Sequence, residues 1–473
     1  MKPYRFTAAQ VETWSQGAWL GLPPDGVRGF SNDTRALAEG GCFVALRTPK
    51  RDGHDFLEDA LRAGAAAALV VHPVVACRLP QLCVGDTLLA LQRIAREWRA
   101  RYTPPVVGVT GSVGKTSTKD MLHAMLGEAG HATRANLNNL LGVPLTLLEL
   151  DPAHHVAGAV IEAGMSEPGE IARLAWVIQP DIALITNVQP VHLAGMGSLE
   201  AIAREKSALA REVRPGGRAI FPASCLAHGA FRELPSPSAV AVVFDADEPE
   251  PWLVTARPGT VVRVRLEDVA EGGRRIFLSG DLPGEHRVGE FAFSLPGSTL
   301  GMARNAALAA VGALFMGLSG ESIGKALAAW RPAVRRGEIV MRDGRLFYVD
   351  CYNASPASVA DATEEFHRRT RGDSGGRLFV LGGMNELGAD SLALHRAVGR
   401  ELPLRVGDVL ALHGGDSAAI GEGAVEAGFP KDGVRELEDI EAVRQLIRGT
   451  RGAVFLKGSR SYALERALPD ADV

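Results

Sequence analysis

Thr110-Gly111-Ser112-Val113-Gly114-Lys115-Thr116 is the stretch of this sequence best equipped for chemistry. Its glycines let backbone N–H groups turn toward one point, and a lysine and a hydroxyl follow at once. An apolar run from Pro105 to Val109 leads in; beyond it, Met121, Leu122, Met125 and Leu126 recur at helical spacing. Strand, tight loop and helix in that order form the context of a phosphate loop. All seven residues are then expected to line a nucleotide, with the positive end of the helix aimed at its phosphates. Lys115 would hold the terminal phosphates, and the Thr116 hydroxyl a Mg²⁺ ion. Val109 stands where the strict pattern has its first glycine, and Gly108 is one place earlier. An ordinary strand-to-helix turn is therefore the alternative.

The elements that must position this loop are further apolar strands. Val156 to Ile161 ends in Glu162; Ile182 to Ile185 ends in Thr186-Asn187, with His192 just beyond. Continuous apolar runs alternating with helices predict a parallel sheet covered on both faces. Ligands bind at the carboxyl ends of such strands, so Glu162, Asn187 and His192 are expected near the phosphate loop as a metal and phosphate site. Taken singly, Glu162 could face solvent and His192 could be a loop histidine. Between these strands, Asn138 and Asn139 belong to the loop Asn136 to Pro144, rich in donors and acceptors.

The rest of the chain falls around this centre. At 473 residues it is too long for one core, and about three domains are expected. Residues 1–84 read as a small α/β domain, with strands at 42–46 and 67–71 and a helix from Phe56 to Gly64. The polar cluster Ser31-Asn32-Asp33-Thr34-Arg35 precedes its first strand and would alone be a solvated loop or cap. Residues 85–330 form the central domain, entered through a helix from Leu88 to Arg101. Its later part, with runs at 240–244, 260–266, 275–278 and 290–294, predicts short antiparallel strands, followed by a helix from Ala303 to Phe315. Residues 331–473 read as a third, doubly wound unit with strands at 346–350, 378–381, 409–412 and 454–456.

Composition narrows the function classes. A net charge of −4 gives no sign of a nucleic-acid partner. Five cysteines without a Cys-x-x-Cys spacing suggest free thiols in a reducing compartment. No apolar run approaches the ~18 residues a membrane span needs, so an integral membrane protein is not expected. The start of the chain has no apolar signal core, and a cytoplasmic monomer is the expectation.

With these residues in hand, the chain resembles the Mur ligases, the ATP-dependent amide-forming enzymes of peptidoglycan and cell-wall synthesis. The phosphate loop is similar to the family's nucleotide loop, and Asn187 with His192, followed by Glu205-Lys206, looks like its metal and modified-lysine region. Four stretches resemble the branch that joins D-alanyl-D-alanine to UDP-N-acetylmuramoyl-tripeptide. They are Asn138 to Pro144, Asp350-Cys351-Tyr352-Asn353-Ala354-Ser355, Gly383 to Gly388, and Leu456-Lys457-Gly458-Ser459-Arg460. Two stretches depart. Gly301 and Met302 replace the His and first Asn of the family's Gly-x-His-Asn-x-x-Asn, with Asn305 kept. The family's Gly-Arg appears as Arg335-Arg336-Gly337.

The resemblance implies a three-domain α/β fold: a small N-terminal domain, a central P-loop domain with a doubly wound parallel sheet, and a C-terminal Rossmann-like domain. It implies ATP and Mg²⁺ as cofactors, with an acyl phosphate as intermediate and ADP and phosphate as products. Lys115, Glu162, His192 and Lys206 become catalytic, and Thr116, Glu162, His192 and a carbamylated Lys206 the metal ligands. Asn305 would meet adenine, Arg336 the nucleotide and Asp350 the ribose. Ser31, Thr34, Arg35, Asn138 and Asn139 would bind the UDP-linked tripeptide, and Tyr352, Asn353, Lys457 and Arg460 the dipeptide. These residues fall in different domains, so closure must assemble the site. The alternatives are a sister Mur or folylpolyglutamate synthase-like ligase, or a P-loop regulatory protein that catalyses no ligation.

Overall fold

A computed structural model describes residues 5–151, 153–191, 193–245, 253, 256–269, 272–283, 290–373 and 375–468. The fold is mixed α/β with largely parallel sheets. Contacts divide the chain into two compact units: residues 1–110, 126–184 and 205–219, and residues 111–125, 185–204 and 220–473.

The first unit holds a five-stranded sheet in the order Ala18–Leu20, Gln81–Cys83, Ala67–Val70, Cys42–Val44, Phe30–Ser31. Its pairings are parallel except at the Ala18–Leu20 edge. Phe43, Leu57, Ala60, Ala68 and Val70 pack its core. Helix Thr87–Arg99 follows because Asp86 caps it, accepting from the Leu89 N–H at 2.9 Å. At its far end the buried Arg99 guanidinium donates to Asp181 Oδ2 at 2.6 Å, and the same oxygen accepts from the Val106 N–H at 2.8 Å. That carboxylate fixes where strand Val106–Thr110 begins. The strand pairs in parallel with Gly158–Glu162, which pairs in parallel with Gly130–Ala132. Val106, Val107 and Val109 have no exposed surface; each such burial contributes roughly 1.5–3 kcal/mol. This is the continuous apolar pattern of a strand covered on both faces.

In the second unit, strands Ala239–Phe244, Thr260–Asp268, Gly273–Gly280 and Glu290–Pro296 run in sequence order. The last two pairings are antiparallel, as expected. The first is a correction: Val240 pairs with Thr260 and Phe244 with Val264 in parallel register. Residues 245–259 give the chain length that a parallel crossover needs. Helix Leu300–Phe315 follows, capped by Thr299, whose hydroxyl accepts from the Met302 N–H at 3.0 Å. A six-stranded sheet then runs in the order Glu338–Arg342, Arg345–Asp350, Val454–Lys457, Leu378–Gly382, Val409–His413, Val434–Glu436. Only the hairpin of its first two strands is antiparallel. Helices flank it, and apolar clusters pack around Phe366, Phe379 and Phe455 and around Val380, Val443 and Ile447.

Among the described residues no helix is long and apolar enough to cross a membrane. All five cysteines are free thiols.

Candidate functional site

The phosphate loop is tightly built. Gly111 has φ +150° and Gly114 φ +86°. A Cβ on the first would lie 1.9 Å from Thr186 Oγ1, and on the second 2.2 Å from Asn305 Nδ2. Both positions therefore need glycine for conformation and for space. Asn187 clamps the loop from the next strand end. Its Oδ1 accepts from the Val113 N–H at 3.0 Å, its Nδ2 donates to Val113 O at 3.0 Å, and its backbone carbonyl accepts from the Ser112 N–H at 3.1 Å. Thr186 Oγ1 donates to Val113 O at 2.6 Å, while the Ser112 hydroxyl exchanges hydrogen bonds with Gln189, each 2.9 Å. Lys115 Nζ donates to Gly111 O at 2.8 Å and Ser112 O at 3.3 Å, which holds the ammonium against the loop. Helix Lys115–Leu126 starts from this turn. The strand-end reading brings Asn187 to the loop. It places Thr186 at the strand end without giving it a role, and it misses Gln189, just beyond. His192 lies outside the described residues.

Glu162 closes strand Gly158–Glu162 and is buried. Its Oε1 accepts from Asn138 Nδ2 at 2.9 Å, and its backbone N–H donates to Thr133 Oγ1 at 2.9 Å. Asn138 thus orients the carboxylate, as a ligand-holding carboxylate requires. Neighbouring Asn139 accepts from the Leu141 and Gly142 N–H groups at 3.1 and 2.8 Å, just ahead of helix Gly142–Leu148. In the same unit, Thr110 Oγ1 donates to Ala163 O at 2.9 Å. Glu205 accepts from the Gly169 and Ile171 N–H groups at 2.9 and 2.7 Å, capping helix Glu170–Ile178. Lys206, one residue on, is only 1% exposed.

In the six-stranded sheet, polar residues gather at the carboxyl ends of the strands. Buried Lys457 donates to Asp350 Oδ2 at 2.6 Å and Asn353 O at 3.0 Å. Arg336 lies over the Tyr352 ring at 3.7 Å, a cation–π contact. Glu465 receives Arg460 and, at 3.3 Å, Arg335. Asn385 accepts from Tyr462 at 3.2 Å, and its N–H donates to Ser459 Oγ at 2.9 Å, lacing together two motif loops.

The early polar cluster is an exposed turn. Arg35 makes a two-pronged pair with Asp33, at 2.9 and 2.6 Å. The Arg35 side chain, then its backbone N–H, holds the Asp33 carboxyl down at about 2. Ser31 Oγ donates to Asp33 O at 2.9 Å. Nearby in sequence, Asp52, His54 and His72 place potential metal-ligating atoms within 4.8 Å of one another. The Val71 N–H donates to His54 Nε2 at 3.0 Å, so Nδ1 carries the proton toward Asp52 Oδ1 at 2.6 Å. Both His54 nitrogens serve the fold, and its ring stacks on His72 at 4.1 Å. In the same unit, Arg47, Thr48, His72, Asp86 and Leu88 line a cleft of about 620 Å³.

Comparison with known proteins shows what the chain is similar to. Residues 109–292 match the Mur ligase middle domain, and residues 335–460 the Mur ligase, glutamate ligase domain. A UDP-N-acetylmuramoyl-tripeptide–D-alanyl-D-alanine ligase of Escherichia coli K12 is 34% identical over 93% of this chain and 92% of its own length. A crystal structure of MurF from Acinetobacter baumannii superimposes with a TM-score of 0.79 at 28% identity, covering 98% of this chain and 97% of that one. The Thermotoga maritima MurF ligase in complex with ADP gives 0.76 at 25% identity, over 93% of this chain and 96% of that one.

Proposed function

The chain belongs to the Mur ligase family, and from that premise we propose that it joins D-alanyl-D-alanine to UDP-N-acetylmuramoyl-tripeptide, converting ATP to ADP and phosphate. The observation that carries this reading is the clamped phosphate loop, found in a chain that matches a ligase of that name almost end to end. The ADP-bound relative supports use of an adenine nucleotide.

In the proposed reaction, a carboxylate oxygen of the tripeptide attacks the γ-phosphorus of ATP. The bond from phosphorus to the ADP oxygen breaks and an acyl phosphate forms. The dipeptide amine then attacks the carbonyl carbon, loses a proton, and expels phosphate. The work of the side chains is positioning and charge neutralisation. Lys115 and the N–H groups from Gly111 to Thr116 would hold the phosphates, with Ser112 and Val113 kept in place by Gln189 and Asn187. Asp350, fixed by Lys457, would hold the ribose, Asn305 the adenine, and Arg336 the nucleotide. Tyr352, Asn353, Lys457 and Arg460 would receive the dipeptide, the cations facing its carboxylate. Ser31, Thr34 and the exposed Arg35 would meet the uridine nucleotide, and Asn138 and Asn139 the sugar-linked peptide.

Hard oxygen donors of the kind Mg²⁺ takes are present: the Glu162 carboxylate, oriented by Asn138, and the Thr116 hydroxyl would be its ligands. A bound Mg²⁺ would neutralise phosphate charge. A second ion would use His192 and Lys206. A division at 84 and 330 into substrate, ATP and C-terminal domains completes the proposal, with the chain acting as a monomer in the cytoplasm.

The test is phosphate release with the UDP-tripeptide and ATP. Release dependent on D-alanyl-D-alanine and negligible with single amino acids supports the assignment. Equal rates with a single amino acid would point to a sister ligase, and no release with any acceptor to a non-catalytic protein.

A further inference from the structure

Helix Leu300–Phe315 begins with a gap in its side-chain surface at Gly301, and a residue sixty positions later fills it. Asp361, partly buried on helix Pro356–Arg369, accepts from the Gly301 N–H at 2.7 Å through Oδ1 and from the Thr299 hydroxyl at 2.6 Å through Oδ2. A Cβ on Gly301 would come 2.6 Å from Asp361 Oδ2. The carboxylate therefore occupies space that any other residue at 301 would claim. It also satisfies one of the N–H groups a helix start leaves without an internal partner, where negative charge is favoured. Burial raises the Asp361 carboxyl above its ordinary value; the Thr299 hydroxyl and Gly301 N–H act the other way and favour the ionised form.

The same end of the helix is held from two more sides. Arg274 donates to Ser298 O at 2.7 Å and reaches Glu365, one turn beyond Asp361, at 3.6 Å. Met302 Cε lies 2.7 Å from where a Cβ on Gly337 would be, so that second glycine makes room for the methionine. One turn along from Gly301, on the same face, is Asn305. Its amide sits so close over Gly114 of the phosphate loop that no side chain fits there.

We propose that Asp361 is a positioning residue for nucleotide binding: it fixes the start of helix Leu300–Phe315 and thereby holds Asn305 against the phosphate loop. The inference rests on the reading of that loop as a nucleotide site. It gives a shared account of two departures from the family pattern. Gly301 admits the carboxylate, and Gly337 admits Met302, so the helix is secured by partners that the local sequence does not contain.

The experiment is calorimetric titration of the full chain with Mg-ADP, alongside steady-state kinetics in ATP. Asp361→Ala is expected to weaken ADP binding about tenfold or more, the size for losing one hydrogen bond to a charged acceptor. The KM for ATP should rise in parallel, with the KM for the UDP-tripeptide unchanged. Asp361→Asn keeps an acceptor for the Gly301 N–H and should recover binding to within about threefold of the parent. Gly301→Ala should reproduce the loss by displacing the carboxylate, yet add nothing to Asp361→Ala. Additive losses, or ADP affinity unchanged in Asp361→Ala, would overturn the proposal. Failure of the unsubstituted protein to bind Mg-ADP would instead overturn the nucleotide-site reading on which it rests. Should Asp361→Ala not fold, Asp361→Asn against Gly301→Ala decides: tight binding by the first and weak binding by the second supports the clamp, and equal binding refutes it.

Discussion

Asn187 is expected to hold the phosphate loop in its binding conformation before any nucleotide arrives, and Asn187→Ala tests this. The substitution removes two side-chain hydrogen bonds to Val113, both 3.0 Å, and leaves the backbone bond from Ser112 in place. At about 1 kcal/mol net for each bond, the loop loses about 2 kcal/mol of organisation. If that ordering must be restored when nucleotide binds, affinity falls about 30-fold, since 1.4 kcal/mol is a factor of ten. Calorimetry with Mg-ADP and the KM for ATP both read this number. Asn187→Asp sharpens the argument. Its carboxylate can still accept from the Val113 N–H, but it turns an oxygen toward Val113 O where the amide donates, so it should bind nucleotide no better than the alanine variant. A change below about threefold in both variants, with unaltered thermal stability, would refute the claim that these two bonds organise the loop.

Three further outcomes follow from particular residues. Lys115→Ala should abolish phosphate release and keep a cooperative thermal transition, because its ammonium donates to the loop carbonyls of Gly111 and Ser112 rather than packing in an apolar core; loss of the transition would assign it a structural role. Asp33 should titrate near 2 by NMR, and in Arg35→Ala return toward 3.8. Its folded value is depressed, so the stabilisation of that turn is present above about 3.8 and is lost as the pH falls through about 2; a titration near 3.8 in the parent would contradict the pairing. Lys206, an ammonium site with 1% exposure, is expected to react with CO₂, its neutral amine forming an N–C bond and releasing a proton to give a carbamate. That reverses its charge and makes it an oxygen ligand. Lys206→Ala activity should be partly restored by short carboxylic acids, and absence of rescue together with a plain ammonium in an experimental map would sink the idea.

The parts of the fold that could be read from the chain are those whose signal is local. Strand Val106–Thr110 announces itself by an apolar run, and helix Thr87–Arg99 lies within two residues of the span expected from Leu88 to Arg101. The parallel pairing of Ala239–Phe244 with Thr260–Asp268 could not be read in this way. Four short runs in succession look alike whichever direction they pair, and direction is set by how the intervening chain crosses over, which leaves no periodic trace in the strands themselves. Asn139 illustrates a signal that was present but masked. An asparagine just ahead of a helix can hold its first N–H groups, yet among three asparagines in four positions it reads as one more ligand donor.

The site shows the same limit more sharply. Residue types point to the loop proposed to hold phosphate, because glycines followed by Lys-Thr carry their mechanism with them. They did not tell what holds the loop still. Gly111 is closed over by Thr186, Gly114 by Asn305, and Val113 by Asn187, contacts between segments tens to hundreds of residues apart. Glu205 is a parallel case. Beside Lys206 it looks like part of a charged, chemically active pair, but both its oxygens cap helix Glu170–Ile178. Its chemistry is structural, and Lys206 is buried next to it on a helix that this cap ties in place. A departure from a family motif is subject to the same reasoning. Gly301 on its own looks like a lost side chain, whereas with Asp361 in contact it is the space that a partner requires. Whether such a departure weakens nucleotide binding depends on what the distant helix brings to the gap. That is why substituting Asp361, and not only Gly301, is the informative perturbation of this helix.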